Sequence, residues 1–300
     1  MSKNNELKPP IFLIGSVRSG TTMFHHIFNL HDDVVSWFEP RTIWMYADPS
    51  RRFDRFTEND ATSRVKKYIR NRFLKFQKKN GNRRVMEKTP SNTMRVPYVE
   101  AIFPESKMLY IIREPFANLS SAELRWQTRS NNWHHLWVRL MECPKTQYHY
   151  YIGRFLIDNI RRNILRKKHF SIWGVRYNGI YEELKQKDFT LEELICKQWV
   201  ECSKQADKDL AKMDPSKVMR IRYEDFVENP VEIYREITKF FNLELTEKVE
   251  KQVREMVDPT RQDKWKRLDK DTLQRCFPIL KDEMQRHGYE TKEIEKMLSN

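Results

Sequence analysis

The stretch Pro10-Ile11-Phe12-Leu13-Ile14-Gly15-Ser16-Val17-Arg18-Ser19-Gly20-Thr21-Thr22 reads as an apolar strand that breaks into a tight turn and resumes as a helix. A turn of this kind presents successive backbone N–H groups, and the positive end of the following helix, to an anion. Glycines at both ends let the backbone approach ligand oxygens closely. The spacing Gly15-x4-Gly20 is that of the nucleotide-triphosphate P-loop, which requires Lys and then Ser or Thr after the second glycine. Here Thr21 and Thr22 follow, and the cation sits inside the loop as Arg18. The reading is nucleotide binding without the chemistry of ATP and magnesium.

Working outward, short apolar segments predict further strands at Val34 to Phe38, Arg84 to Glu87, Lys107 to Ile112 and Val218 to Ile221. Helical patterns separate them: Thr22 to Asn29, a basic stretch from Arg64, Ala117 to Thr128, and Leu191 to Lys212. The C-terminal part reads as helices over Val231 to Phe241, Lys248 to Met256 and Lys270 to Gln285. Alternation of this kind predicts an α/β fold, a P-loop-like three-layer sandwich whose central parallel sheet is flanked by helices. In such sheets ligands bind at the carboxyl ends of the strands.

At 300 residues the chain is long enough to bury a sizeable core. No apolar run approaches the roughly 20 residues that span a bilayer, and Met1 to Lys8 contains no apolar leader core. Four cysteines without a C-x-x-C pair predict reduced thiols and no structural zinc, and together these features predict a cytoplasmic protein. The net charge of +14 points to polyanionic partners. From Arg64 to Arg84 every charged residue is basic, while Val65, Tyr68, Ile69, Phe73 and Phe76 recur at helical spacing. That predicts an amphipathic helix with a basic outer face, with an anionic membrane surface or glycan as its candidate contact. Arg161 to Lys168 reads the same way.

Several blocks sit at predicted strand ends. Lys107 to Ile112 runs into Arg113-Glu114-Pro115 and then a helix carrying Ser120, Ser121 and Arg125; Glu87-Lys88-Thr89-Pro90 follows the third strand, and Arg222-Tyr223-Glu224-Asp225 the fifth. An Arg at a strand end and a Ser eight positions on can close on one phosphate from two sides, the Arg supplying a bidentate fork.

Taken together and in this order, these blocks resemble the sulfotransferases that use 3′-phosphoadenosine-5′-phosphosulfate (PAPS), in the branch of bacterial glycan enzymes and, more distantly, tyrosylprotein sulfotransferases. The resemblance covers roughly residues 9 to 126 and 190 to 290. It implies that Arg18, Ser19, Gly20, Thr21 and Thr22 grip the 5′-phosphosulfate, that Arg113 and Ser121, with Arg125 nearby, hold the 3′-phosphate, and that Tyr223 and Lys264 complete the nucleotide site. It also implies that Lys88 lies beside the transferred group, and that no metal is required. Related enzymes carry a general base as Glu in a short E-x-R segment, and Glu39-Pro40-Arg41 has that form. The flanking Trp37 and Phe38 are expected to raise the Glu39 pKa toward working pH. Arg18 and Lys88 would stabilise charge developing on the leaving nucleotide, whose product is adenosine 3′,5′-bisphosphate. His25, His26 and His31 read as helix-face residues.

On this resemblance residues 1–300 form a single sulfotransferase domain, with residues 126–190 a helical insertion that binds the acceptor. The insertion is dense in aromatics, among them Trp126, Trp133, Trp137, Tyr148, Tyr150, Tyr151 and Trp173, with His134, His135 and His149. Such rings stack on sugars and bond their hydroxyls, although core packing is the alternative for any one of them. Trp173-Gly174-Val175-Arg176-Tyr177 resembles a block of bacterial polysaccharide sulfotransferases. The expected acceptor is a carbohydrate hydroxyl, on a glycan or glycolipid precursor met at the membrane periphery, with a tyrosine peptide or a small molecule as the alternative. A P-loop kinase lacks its lysine here, and a basic module binding nucleic acid leaves the strand-end residues unexplained.

Overall fold

The structure, a computed structural model, describes residues 6–120, 133–163, 174–186, 188–257 and 268–299. Five strands, β1 (Ile11–Ile14), β2 (Val34–Phe38), β3 (Arg84–Lys88), β4 (Lys107–Ile112) and β5 (Val218–Arg222), form one sheet in the order β2-β3-β1-β4-β5. Every pairing is parallel, in the register Leu13↔Lys88, Phe38↔Lys88, Ile14↔Tyr110 and Ile112↔Arg222. All four β1 residues are buried because both faces of the sheet are covered. Phe12 and Ile14 enter one core with Trp44, Phe73, Phe103 and Trp199, whereas Ile11 and Leu13 enter the other with Phe24, Phe28, Phe226 and Tyr234. This is the expected three-layer α/β sandwich.

The helices in chain order are α1 (Thr21–Phe28), α2 (Arg41–Trp44), α3 (Ser63–Lys79), α4 (Val96–Ile102), α5 over residues 115–120, α6 (Trp133–Glu142), α7 (Tyr148–Asn163), α8 (Ile180–Glu183), α9 (Leu191–Leu210), α10 (Tyr223–Glu228), α11 (Pro230–Phe241), α12 (Glu247–Met256), α13 (Lys270–Arg286) and α14 (Lys292–Ser299). In α3, Thr62 caps the first turn, and Val65, Ile69, Phe73 and Gln77, four apart, form the buried stripe. The helix stops at Lys79, short of the basic run's end, because Gly81 and Asn82 take positive φ of 70° and 57°. Arg84 belongs to β3, where it donates to the carbonyls of Pro9 (2.7 Å) and Phe241 (2.6 Å). A reciprocal capping box between Thr190 and Glu193 starts α9.

Between β4 and α9 the chain leaves the sheet. Helices α6 and α7 make a satellite core of Leu136, Cys143, Tyr151 and Phe155. Their anchorage runs through α2 and α3: Thr42 donates to the Glu142 carboxylate, Tyr68 Oη to the Glu142 carbonyl (3.2 Å), and Gln147 Nε2 to the Tyr46 carbonyl (3.1 Å). Further on, Asp54 is 4% exposed and accepts from Arg176 N (2.9 Å), Arg176 Nη2 (2.7 Å) and Ser91 Oγ (2.8 Å). The Trp-Gly-Val-Arg-Tyr block thus spends its arginine on a clasp, and Val175 and Tyr177 pack with Met94, Ile180, Leu194 and Cys202. Trp173 lies outside the described residues.

All four cysteines are free, and Cys196 and Cys202 join different cores, as a six-residue helical spacing predicts. Helix α9 meets α13 through Asp207, Glu283 and His287, whose ligating atoms lie within 4.8 Å of one another. Arginines fill this group: Arg220 reaches Asp207 at 2.5 Å and Arg286 reaches it at 2.9 Å, and Arg286 also pairs with Glu283. Burial alone would lower the His287 pKa, but its bonds to Asp207 and Glu283, both 3.2 Å, raise it above the usual 6.5. A raised folded-state pKa means that this contribution to stability is present below the unfolded value and is lost as pH rises through the folded one. Between about pH 6 and about pH 8, thermal unfolding of the wild type is therefore expected to lose more stability than that of His287→Gln, the carboxyls common to both proteins cancelling. Equal slopes in the two proteins would overturn the coupling.

Candidate active site

The parallel register sets the strand ends side by side. Across the sheet, the residues at or just past them are Glu39 after β2, Lys88 ending β3, the Gly15 to Gly20 turn after β1, Arg113 after β4 and Tyr223 after β5. These are the separate blocks of the sequence, gathered on one edge as open α/β sheets gather ligand-binding groups.

The turn after β1 is fixed from within and from above. Ser19 is fully buried, and its hydroxyl donates to the Ser16 carbonyl at 2.7 Å, so this side chain holds the turn's shape. Asn118 Nδ2 reaches the Ser16 hydroxyl at 3.2 Å from the helix after β4. A Cβ on Gly15 would lie 2.6 Å from Ser19 Oγ and 2.8 Å from the Ile111 carbonyl, so only glycine fits. Gly20, at φ 91°, is the N-cap of α1 and offers no side chain to its first-turn N–H groups. Thr21 is buried and Thr22 exposed at that end.

Arg113 leans over the turn. Its Nη1 donates to the Arg18 carbonyl at 3.1 Å, its guanidinium lies 4.4 Å from the Tyr223 ring centroid, and its own carbonyl accepts from Trp199 Nε1 at 3.0 Å. Nε of Arg113 is buried with no hydrogen-bond partner among the described residues, an unmet donor suited to an anion. Next to it, Glu114 accepts from the N–H groups of Phe116 (3.1 Å) and Ala117 (2.6 Å), capping the helix that Pro115 begins. Burial pushes the Glu114 carboxyl up to about 7 despite those bonds.

On the other side of the turn Glu39 and Lys88 form a buried pair at 2.7 Å. Glu39 also takes Arg41 Nη2 at 2.6 Å and Nε at 3.1 Å on its other oxygen. Burial would raise its pKa, but Arg41 and then Lys88 outweigh that and hold it down to about 2. The expectation of a carboxyl raised by its aromatic flanks is therefore corrected. Trp37 turns away to stack on Phe76 at 4.2 Å, and Phe38, 47% exposed, receives Lys88 Nζ at 4.2 Å on its ring. Lys88 is 2% exposed, and that burial lowers its pKa even against Glu39.

Glu87 and His25 adjoin this pair, whereas His31 lies apart from it. Glu87, fully buried and pushed by burial up to about 7, accepts from Trp44 Nε1 (3.1 Å), Thr89 Oγ1 (2.5 Å) and Asn92 Nδ2 (2.7 Å), which fixes the turn after β3. His25 bonds Ser36 and lies 4.9 Å from the Phe38 ring; burial, His26 and Lys88 lower its pKa to about 4. His31 is not on a helix face: it is 4% exposed past the end of α1 and bonds Tyr234 Oη at 2.7 Å. A backbone signal also marks the site. Among the described non-glycine residues, positive φ occurs at Arg18 (69°), Glu39 (51°), Asn82 and Asn242. Asparagine tolerates that region, whereas for Arg18 and Glu39 it costs of order 1–3 kcal/mol. Ser121, Arg125 and Lys264 lie outside the described residues.

Comparison with known proteins gives the family and the fold. The Nodulation protein NoeE of Sinorhizobium fredii (strain NBRC 101917 / NGR234) is 24% identical over 131 residues, 38% of this chain and 31% of its own length, so the match takes in less than a third of that protein. The sulfotransferase domain from the curacin biosynthetic pathway shares the fold with a TM-score of 0.55 at 16% identity, over 95% of this chain and 99% of that one. Sulfotransferase STF9 from Mycobacterium avium gives 0.52 at 11%, over 95% and 78%. Residues 9–170, more than half of the chain, match the Sulfotransferase family. The chain belongs to the sulfotransferase family.

Proposed function

We propose that the protein transfers the sulfuryl group of PAPS to a carbohydrate hydroxyl, with Glu39 as general base and Lys88 and Arg18 as the cations that stabilise the departing nucleotide. The observation that carries the nucleotide assignment is the buried, unmet Nε of Arg113 above a turn whose glycines leave room for backbone only. Arg113 is proposed to hold the 3′-phosphate with Ser121 and Arg125. The turn from Arg18 to Thr22 is proposed to hold the 5′-phosphosulfate, with Tyr223 and Lys264 completing the nucleotide site. PAPS supplies an activated sulfuryl group on a phosphate leaving group, chemistry that needs positioned cations and one proton acceptor and that we read as independent of a metal.

The resting ion pair suits Glu39 to that role. Held at about 2, the carboxyl is ionised throughout the neutral range but weakly basic. An anion drawn to Lys88 would loosen the pair and add negative charge nearby, and both changes raise the basicity of Glu39 when the acceptor hydroxyl must lose its proton. Arg41, bound to the other oxygen, keeps the carboxylate oriented meanwhile.

In the same reading the chain is one sulfotransferase unit, and residues 126–190 receive the acceptor. Helix α2, which begins at Arg41 beside Glu39, carries Thr42, and Thr42 holds α6 through Glu142. That contact brings the aromatic hairpin next to the proposed base, and rings with polar handles favour a sugar.

Four results test the proposal. Adenosine 3′,5′-bisphosphate is expected to bind with a chelator present, and Arg113→Ala to weaken it at least about tenfold, a charge-assisted contact being worth ~1.5–3 kcal/mol. Unchanged affinity removes Arg113 from the site. Glu39→Gln is expected to lower turnover by about 10²- to 10⁴-fold with nucleotide affinity near wild type. In Lys88→Met, a carboxyl-carbon NMR titration should find Glu39 above its value of about 2; an unmoved midpoint contradicts the coupling. Labelled sulfate offered to oligosaccharides, tyrosine peptides and phenols decides the acceptor, and transfer to peptides or phenols alone ends the carbohydrate reading.

A further inference from the structure

The hairpin of α6 and α7 turns an apolar strip outward. On α7, Ile152 (38%), Leu156 (49%), Ile157 (50%) and Ile160 (52%) are exposed, and on α6 Trp137 (64%) and Met141 (61%) are more so. The spacings 152, 156, 160 and 137, 141 place each set along one side of its helix. The opposite side of the hairpin is already used, since Tyr151, Phe155, Leu136 and Cys143 form its core. Four aliphatic side chains within nine residues, joined by a tryptophan and a methionine, exceed the scattered exposure of an ordinary surface.

What borders the strip indicates its occupant. Helix α3 abuts α6, with Arg72 Nη2 donating to the carbonyl of Met141 at 3.1 Å, so the exposed Met141 adjoins the basic helix directly. Exposed along α3 are Arg64, Lys67, Lys75 and Lys79. Apolar side chains with basic neighbours, and a tryptophan at the margin, are the chemistry of a surface that lies in an anionic lipid interface. A second copy of this chain would bring two such basic faces together in a protein of net charge +14, which works against self-association there. No described helix is long and apolar enough to cross a membrane, so the contact is peripheral.

We propose that the exposed faces of α6 and α7, flanked by the basic face of α3, dock the protein onto an anionic lipid bilayer. Because the hairpin is tied to α2 beside Glu39, docking would set the mouth of the candidate active site at the headgroup level, within reach of an acceptor carried on a lipid. The docking itself does not depend on the sulfotransfer chemistry, and its test uses none.

The full-length protein is sedimented with vesicles of phosphatidylcholine alone and of phosphatidylcholine mixed with phosphatidylglycerol, at low and high salt. Selective binding to the anionic vesicles is expected, weakened by salt, and weakened about tenfold or more in Ile157→Glu/Ile160→Glu, whose sites are half exposed and leave the core intact. Unchanged binding of adenosine 3′,5′-bisphosphate and an unchanged unfolding curve show that the variant is folded. Three results overturn the proposal: no binding to either vesicle, equal binding by wild type and variant, or a dimer in sedimentation equilibrium that the variant abolishes while vesicles are ignored.

Discussion

The space above Gly20 governs the site. A Cβ there would lie 2.4 Å from the Tyr223 ring, so the ring closes directly on the backbone of the turn. Tyr223 stands at the end of β5, Gly20 follows β1, and Arg113, stacked on the same ring at 4.4 Å, follows β4. Three strand ends thereby meet around one tyrosine, and at Gly20 the contact admits backbone only. The start of α1 and the guanidinium of Arg113 adjoin that same ring. The preorganisation costs strain at Arg18, with φ at 69°, which the surrounding packing sustains.

Electrostatics organises the other half of the edge. A lysine buried to 2% exposure needs a partner, and Glu39 supplies it at 2.7 Å. Glu39 in turn sits at φ 51°, a conformation held by its N–H bond to the Lys88 carbonyl (3.0 Å) and by Arg41. The resting arrangement is therefore a network of two cations on one carboxylate, with a net positive charge that an anionic ligand would relieve. Beneath it, Glu87 takes three hydrogen bonds, and burial raises its pKa to about 7.

Much of this was legible in the sequence, for physical reasons that differ by element. Strands buried on both faces write themselves as short apolar runs, so β1, β2 and β4 fall where their residues place them, and β3 and β5 extend one residue further, to Lys88 and Arg222. The strand-end residues could be named because the chemistry of anion binding demands particular types at particular offsets. What could not be read depends on contacts distant along the chain. Nothing near Arg176 announces that it will be bound to Asp54, nor does α9 disclose that His287 will sit between two acids. The Glu39 pKa went the other way for a mixed reason: Arg41, two residues on, was in view in the sequence but not its turn back onto the carboxylate, and Lys88 arrives from the end of β3. Local sequence reports what flanks a carboxylate and not what faces it.

The same distinction bears on the segment between β4 and α9, whose described residues make two contacts of opposite kind with the chain that follows β2. At one end Thr42 meets Glu142 beside the proposed base; at the other, Arg176 is fixed by a fully buried Asp54 that Ser91 also holds. Both clasps reach residues that follow the candidate catalytic strands, Thr42 after β2 and Ser91 after β3. The hairpin between them has its own small core and can vary in sequence without disturbing β1 to β5. Built this way, the packing of the hairpin is separate from that of the turn after β1 and Arg113, whose geometry the sheet dictates.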